Sequence, residues 1–483
     1  MSELLFASSN PKEIYRISSA VKQNKIRKIA PKIYSNNFEE QPSDIIRRNI
    51  LEILGNLYPG SVLSHRSAFE FKPTDTAQIF VTYTYTKKIK LPGVTINFIK
   101  GAGPLIGDNK LLGELYVASK ERALLENLQI TKKIGPDSKT LGIPQIEEKL
   151  DDVLRVNGED GLNQLRDKAR KLSALLNMPR EYEALTKITG ALLRTKPSKT
   201  LQSGVARFRA AGLPYDRERI TVLEILFKYL HNNEFQDRPE NNGTQGSFRN
   251  FSFFEAYFSN YIEGTVFEVS EARQIVETGV PLPARSQDSH DILGTYQIVS
   301  DRNEMRMVSA DSEEFGKLLQ MRHQILMAAR IDKQPGRFKT VNNRAGNTEF
   351  VDFRLVRGTL KRGLEYYNVL KNPFARAAYI MFLISEVHPF MDGNGRIARV
   401  MMNAELVNAN QCKIIIPTVY REDYLLTLKN LTNNKAPAPY VEMLYKAQAF
   451  SANLHYENYD KLYDYLKTHN AFYEPSLGKN LII

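Results

Sequence analysis

Glu386-Val387-His388-Pro389-Phe390-Met391-Asp392-Gly393-Asn394-Gly395-Arg396-Ile397-Ala398-Arg399 joins two helical patterns through a glycine-bearing turn. Upstream, Asn372-Pro373 reads as a helix start, with Ala377, Ala378, Met381, Phe382 and Ile384 at spacings that can face one core. That helix has to stop near Pro389, because the residue before a proline is pushed out of the helical region. Gly393 and Gly395 allow positive φ and a close approach of backbone to a ligand. From Arg396 a second helix is expected, with Ile397, Val400, Met401 and Ala404 at buried spacing.

The chemistry follows from that helix–turn–helix. The start of the second helix offers free N–H groups and the positive end of the helix dipole, a ready site for phosphate. Arg396 and Arg399 lie about one turn apart, so both can face the same anion. Asp392 is a hard oxygen ligand beside that anion and suits Mg²⁺ shared between carboxylate and phosphates. At the other edge, the His388 imidazole can accept a proton from an attacking hydroxyl. A lone histidine or a lone Gly-x-Gly is usually structural. Base, metal ligand, anion nest and two arginines within residues 388–399 together describe phosphoryl or nucleotidyl transfer.

The stretch resembles the Fic-family signature, HPFxxGNGRxxR with an acidic residue before the first glycine, at every specified position. The resemblance implies a helical Fic domain that uses ATP to attach AMP to a Tyr, Ser or Thr of a target protein. In it His388 would be the general base and Phe390 the anchor of the loop in the core. Asp392 would hold Mg²⁺. Asn394 and the amides of Gly393 and Gly395 would hold phosphate oxygens, and Arg396 and Arg399 would bind the distal phosphates. In the related Doc-type kinases a lysine replaces the second glycine, so Gly395 points to adenylylation. The family also carries a β-hairpin flap that pairs with the target backbone. Here it falls on Val341-Asn342-Asn343-Arg344-Ala345-Gly346-Asn347-Thr348-Glu349-Phe350-Val351, which reads independently as two short strands. Tyr424 and Asn433 lie near where relatives line the adenine and ribose pocket, and packing accounts for them equally well.

A second constellation precedes the first. Ser252 and Glu255 read as a capping box and Gly264 as the residue just past a helix, which predicts a helix over 253–263. Ser259-Asn260-Tyr261-Ile262-Glu263-Gly264 resembles the inhibitory motif of autoinhibited Fic proteins. A carboxylate at Glu263 paired with Arg399 would take the guanidinium meant for the γ-phosphate. Glu263 closes a helix, where an acid is mildly unfavourable and needs a cation to explain it. In some relatives the equivalent glutamate positions water to remove AMP, so a bifunctional enzyme stays open.

The rest of the chain bounds the setting. It holds 483 residues, 42% hydrophobic, enough for two to four domains. Its one cysteine, Cys412, excludes internal disulfides and a thiolate zinc cage, and before Ile414-Ile415-Ile416 it reads as strand packing. Met1–Ala7 lacks a basic leader pattern and no apolar run reaches membrane-spanning length, so no membrane association and a cytoplasmic setting are expected.

Residues 1–100 carry 15 Lys/Arg against 8 Asp/Glu, which suggests an acidic partner or simply a solvated surface. Lys25–Tyr34 alternates like a two-stranded wing, and this start resembles that of AbiEi-type bacterial antitoxins, a winged-helix family. The resemblance implies DNA contacts at residues such as Arg27, Lys28, Arg47 and Arg48. That supports an alternative, a DNA-binding antitoxin-like regulator with a nucleotide-sensing Fic domain, in one toxin–antitoxin-like chain. The expected architecture is mainly α and multidomain. It has a winged-helix-like domain at 1–75, an α+β/helical region at 76–233, an inhibitory helix at 249–264, a helical Fic domain with a β-hairpin flap at 265–450, and a helical tail at 451–483. Expected partners are a target protein bearing a hydroxyl and DNA at the N-terminal region, with a homodimer left open.

Overall fold

A computed structural model describes residues 3–7, 10–131, 135–241, 243–346 and 348–482. The chain divides into two units, Met1–Gly212 and Leu213–Ile483.

The first unit opens with β1 (Leu4–Phe6) and α1 (Pro11–Lys22), where the Asn10 side chain accepts from the Lys12 N–H and Pro11 takes the first helical position. β2 (Arg27–Ala30) and β3 (Ile33–Ser35) form the expected hairpin, and β1 pairs with β3 as a third strand. Pro42 opens α2 (Pro42–Arg48), which breaks at Asn49 into α3 (Ile50–Leu57); Ile45, Ile46, Ile50, Ile53 and Leu54 are all buried. After β4 (Val62–Leu63) and the short α4 (Ser67–Glu70) come β5 (Gln78–Tyr83), β6 (Lys87–Leu91), β7 (Val94–Lys100), β8 (Asn109–Leu112) and β9 (Leu115–Val117). These strands form a mixed sheet in the order β6-β7-β5-β4-β9-β8, with β5 parallel to β7 and β4 parallel to β9. β4 therefore sits inside the sheet, and the expected boundary at 75 cuts through one core that runs from Leu4 to Ala123.

Helices then follow: α5 (Lys120–Asn127), α6 (Ile143–Leu175, broken at Gly158 with φ 71), α7 (Pro179–Leu192) and α8 (Gly204–Ala210), around their own core. The expected end at 233 is also corrected. α9 (Arg217–Asn232) places Ile220, Leu223, Leu226 and Leu230 in the core of the second unit, so the division falls before it.

The second unit is helical: α10 (Gln245–Ile262), α11 (Val269–Thr278), α12 (Ser286–Val299), α13 (Arg302–Met305), α14 (Ser312–Leu326), the two-stranded β10 (Arg344–Ala345) and β11 (Thr348–Glu349), and α15 (Val356–Tyr367). Then come α16 (Pro373–Val387), α17 (Asn394–Asn408), α18 (Arg421–Asn434), α19 (Pro437–Ala452) and α20 (Tyr459–Thr468). Asn372 caps α16 through the Ala375 N–H at 3.1 Å. Apart from Pro373, Arg376 and Ser385 the helix is buried, as a central helix must be apolar all round.

Two local expectations fail. The helix expected over 253–263 starts at Gln245 with Thr244 as its cap, and Ser252 and Glu255 lie in its buried interior. Residues 412–416 are buried but form no strand. The Cys412 N–H donates to the Arg238 carbonyl at 2.7 Å, while Asn403 Oδ1 accepts from the Ile414 N–H and Ser451 Oγ from the Ile415 N–H. The expected tail at 451–483 is not separate, because Leu462, Leu466, Ala471 and Leu481 share a core with Phe254 and Phe258 of α10.

Candidate functional site

α16 ends at His388, whose φ of 51 and ψ of 60 are left-handed, and Pro389 prevents any return to helix. Such a conformation is uncommon for a residue with a side chain. His388 Nδ1 lies 3.2 Å from the Ser385 carbonyl. A carbonyl only accepts, so Nδ1 carries the proton and Nε2 is left as the acceptor. The ring stacks on Phe350 at 3.6 Å, nearly parallel. Burial pushes the imidazole down to about 4, so it is neutral near pH 7.

The turn that follows is fastened from inside. Phe390 is fully buried and stacks on His323 of α14 at 3.6 Å. His323 Nε2 donates to the Asp392 carbonyl at 2.9 Å, while its Nδ1 accepts from the Gly336 N–H at 2.9 Å. The Asn394 side chain accepts from the Phe390 N–H at 2.8 Å and donates to the Phe390 carbonyl at 2.9 Å. The Asn394 amide thus closes the loop on itself. Gly393 has φ 73, and a Cβ there would stand 2.7 Å from Met327 Sδ. α17 starts at Asn394, two residues before its expected start. The Asp392 carboxylate accepts from the Gly393 N–H at 2.6 Å, and its side chain is 43% exposed.

The two arginines part company. Arg399 is buried and uses its whole fork: Nε donates to Ser259 Oγ at 3.0 Å, Nη2 to the Ser259 carbonyl at 2.8 Å and to Glu263 Oε1 at 2.7 Å, and Nη1 to the Tyr424 hydroxyl at 3.3 Å. Arg396 turns instead to Asp291 of α12, with Nη1 2.8 Å from Oδ2. The approach is ionic but not aligned for a hydrogen bond, and Arg396 Nε and Nη1 make none. Asp291 is itself held by Arg330 at 2.6 Å. The expected pair facing one anion is therefore two guanidinium groups with different carboxylates.

Glu263 is the first residue past α10, and Gly264 follows with φ 91, a conformation that glycine supplies without strain. A Cβ on Gly395 would meet Glu263 Oε1 at 2.2 Å, so only glycine leaves room for the carboxylate at the start of α17. Beside this contact a cavity of about 220 Å³ is lined by Glu263, His388, Gly395, Tyr424 and, from the hairpin, Ala345 and Thr348. Asn433 is exposed and lies outside this lining, which corrects the expectation that it joins Tyr424.

The hairpin is shorter than its sequence suggested. Arg344 pairs with Glu349 and Ala345 with Thr348, around Gly346 at φ 56; Asn347 lies outside the described residues. Its base is tied to the motif turn. Asn343 Nδ2 donates to the Phe390 carbonyl at 2.9 Å, and the Lys339 N–H donates to the Pro389 carbonyl at 2.8 Å. Lys339 is buried, which lowers its amine to about 8, and Nζ donates to Asn343 Oδ1 at 2.7 Å. Asn342 instead braces the residues after the hairpin, accepting from the Phe353 N–H at 2.9 Å, and Val341 is exposed. Sequence reasoning missed His323, Lys339 and Arg219. Arg219 pairs with Glu386 of α16 and donates to the Glu349 carbonyl of β11, linking the base-bearing helix to the hairpin. Nothing in their local sequence marks these three, since each acts through residues far along the chain.

The four basic residues singled out near the N-terminus are mostly engaged within the first unit. Arg27 donates to the Asn37 and Glu40 carbonyls, Arg48 to the carboxylates of Glu3 and Glu40, and Arg47 to the Gly93 carbonyl, while Lys28 is exposed.

Residues 316–406, from α14 through α17, match the model of the Fic/DOC family. Protein adenylyltransferase fic-1 of Caenorhabditis elegans is 26% identical over 202 residues, 40% of this chain and 39% of that protein. Protein adenylyltransferase Fic of Nematostella vectensis is 27% identical over 203 residues, 40% of this chain and 46% of that one. A solved structure of Fic-1 from C. elegans covers 67% of this chain and 88% of its own at 21% identity, with a TM-score of 0.37. The matched region thus spans less than half the length of these curated relatives.

Proposed function

We propose that this chain is a protein adenylyltransferase, moving AMP from ATP to a Tyr, Ser or Thr hydroxyl of a target protein or of itself, held in check by Glu263. The observation that carries the reading is a neutral His388 with Nε2 free to accept, at the rim of the cavity that also receives Arg399's partner Glu263. The Fic/DOC match across the same residues supports it.

In this reading the target hydroxyl oxygen attacks the α-phosphorus of ATP and its proton passes to His388 Nε2. The bond from that phosphorus to the oxygen bridging to the β-phosphate breaks, and pyrophosphate leaves. The amides of the first turn of α17 and the Arg399 guanidinium would stabilise the phosphates. The hairpin would hold a target segment in extended form, with Ala345 and Thr348 on the cavity side.

Mg²⁺ fits the donor set. Among the described residues no three His, Cys, Asp or Glu side chains gather as a cage, and Asp392 offers one half-exposed carboxylate beside the anion site. That is the pattern of an ion shared with phosphates, whose charge it would neutralise. Among the described residues no helix is long and apolar enough to cross a membrane, and a cytoplasmic setting is part of the proposal.

The test is AMP transfer from α-labelled ATP with Mg²⁺ and host lysate as a source of targets. Wild type, Glu263→Gly and Glu263→Gly/His388→Ala proteins are compared. Label is expected in the single variant, little in the wild type, and a fall of about 10²–10⁴ in the double variant, the usual contribution of a general base. Because the neutral imidazole is the base, transfer by Glu263→Gly should rise as pH climbs through about 4 and be flat near neutrality. Equal labelling with and without His388 would sink the mechanism.

A further inference from the structure

The last turn of α10 is gripped from two sides. On its inner side Glu263 and Ser259 hold Arg399. On its outer side it meets the C-terminal segment that follows α20. Phe472 stacks on Phe258 at 5.1 Å and packs against Tyr257 at 5.8 Å, and Ala471 and Leu481 close the same core. One turn further on, the Tyr261 hydroxyl donates to the Glu474 carboxylate. Burial and that carboxylate both raise the Tyr261 phenol, so it stays a donor at any ordinary pH. Tyr261 lies two residues before Glu263, within the same turn.

These outer contacts differ in kind from those that seat the helix. Farther up, Glu255 meets Lys413 at 2.6 Å and Asn403 of α17 at 2.7 Å, all buried. Breaking that pair would leave an uncompensated charge in the core, so α10 as a whole stays docked. Glu474, by contrast, is exposed, as are the residues from Ser476 to Asn480. The Tyr261–Glu474 contact can open without disturbing the core.

We propose that the C-terminal segment 469–482 controls the Glu263 brake. It clamps the last turn of α10 through the Glu474–Tyr261 bond, and opening that bond while Phe472 stays in the core frees Glu263 to leave Arg399. The inference rests on the adenylyltransferase reading above. It places the control point on the outer face of the helix, away from the cavity, where a binding partner can reach it without competing with ATP.

The experiment uses the full chain carrying Tyr261→Phe or Glu474→Ala, each with Glu263 intact and in the Glu263→Gly background, read by label from α-labelled ATP. Each variant is expected to raise labelling roughly three- to ten-fold over wild type, the scale set by one charge-assisted hydrogen bond at a rim. In the Glu263→Gly background neither should add anything, since no brake is left to release. Both variants should melt with the wild type. Wild-type labelling in both variants, alongside a strongly labelling Glu263→Gly, overturns the clamp and leaves the enzyme reading standing. So does an equal rise in the Glu263→Gly background, or a collapse of melting, which would make the segment a plain part of the fold. No label in Glu263→Gly under any condition overturns the enzyme reading itself.

Discussion

Glu255 and Glu263 stand about two turns apart on one helix and meet their cations under opposite conditions. Glu255 is buried, bonded to Lys413 and Asn403, and Lys413 in turn donates to Ser252 Oγ at 3.0 Å and lies 4.2 Å over the Phe248 ring. Glu263 has a side chain 35% exposed, and its partner Arg399 is buried. In the first pair neither charge can be spared, because both are out of water. In the second only the arginine is. A buried guanidinium needs an anion, but it does not matter to the fold whether that anion is a carboxylate or a phosphate. The same helix thus carries one ion pair suited to permanence and one suited to exchange.

The largest effect expected from this contrast is at Lys413. Lys413→Ala leaves Glu255 buried without its cation and should cost about 3–5 kcal/mol of stability, read by denaturant unfolding. It should not raise AMP transfer in the protein that remains folded. A cost under about 1 kcal/mol together with raised transfer would show that the two pairs are not different in kind. Glu263→Gln sharpens the contrast from the other side. It keeps the shape, removes the charge at a rim position, and should change stability by no more than about 1 kcal/mol. Transfer should rise about ten-fold, because the carboxylate no longer competes with phosphate for Arg399. A large loss of stability would mean that Glu263 belongs to the structural class with Glu255.

The sequence made one of these glutamates legible and misread the other, for a physical reason. Gly264 and the serine four residues before Glu263 are local signals of a helix end, and local chemistry decides a helix end. Ser252 and Glu255 look like a capping box, but their partner Lys413 is far along the chain, and buried polar residues imitate surface signals when only the sequence is visible. The turn after His388 was legible because Pro389 and Gly393 fix backbone choices by themselves. For Asn394, Arg396 and Asn433 the sequence says which residues share a stretch, not which neighbour arrives there. Asp291 took Arg396, and Phe390 took Asn394. In the first unit, β4 has two residues, too few to show any period, yet it sits between β5 and β9. The helical reading up to residue 233 could not say which of the two cores would receive α9.

The smallest effect expected is at Ser259, and it tests whether the exchangeable pair depends on charge or on the whole cradle. Ser259 offers Arg399 two acceptors, its hydroxyl to Nε and its carbonyl to Nη2, and only the hydroxyl is lost in Ser259→Ala. The carbonyl and the Glu263 carboxylate remain, so Arg399 stays turned toward α10. One hydrogen bond from a charged donor to a neutral hydroxyl, in a site that keeps its other partners, should shift the balance by about 0.5 kcal/mol, toward the low end of the usual range. Transfer should therefore rise about two-fold in the otherwise wild-type chain. In the Glu263→Gly background the hydroxyl is one of few partners left to the guanidinium, and its loss should show as weaker ATP binding, with no further rise in transfer. If Ser259→Ala released transfer as fully as Glu263→Gln, the serine would share control of Arg399 equally. The distinction between a permanent and an exchangeable carboxylate would then not describe how this helix works.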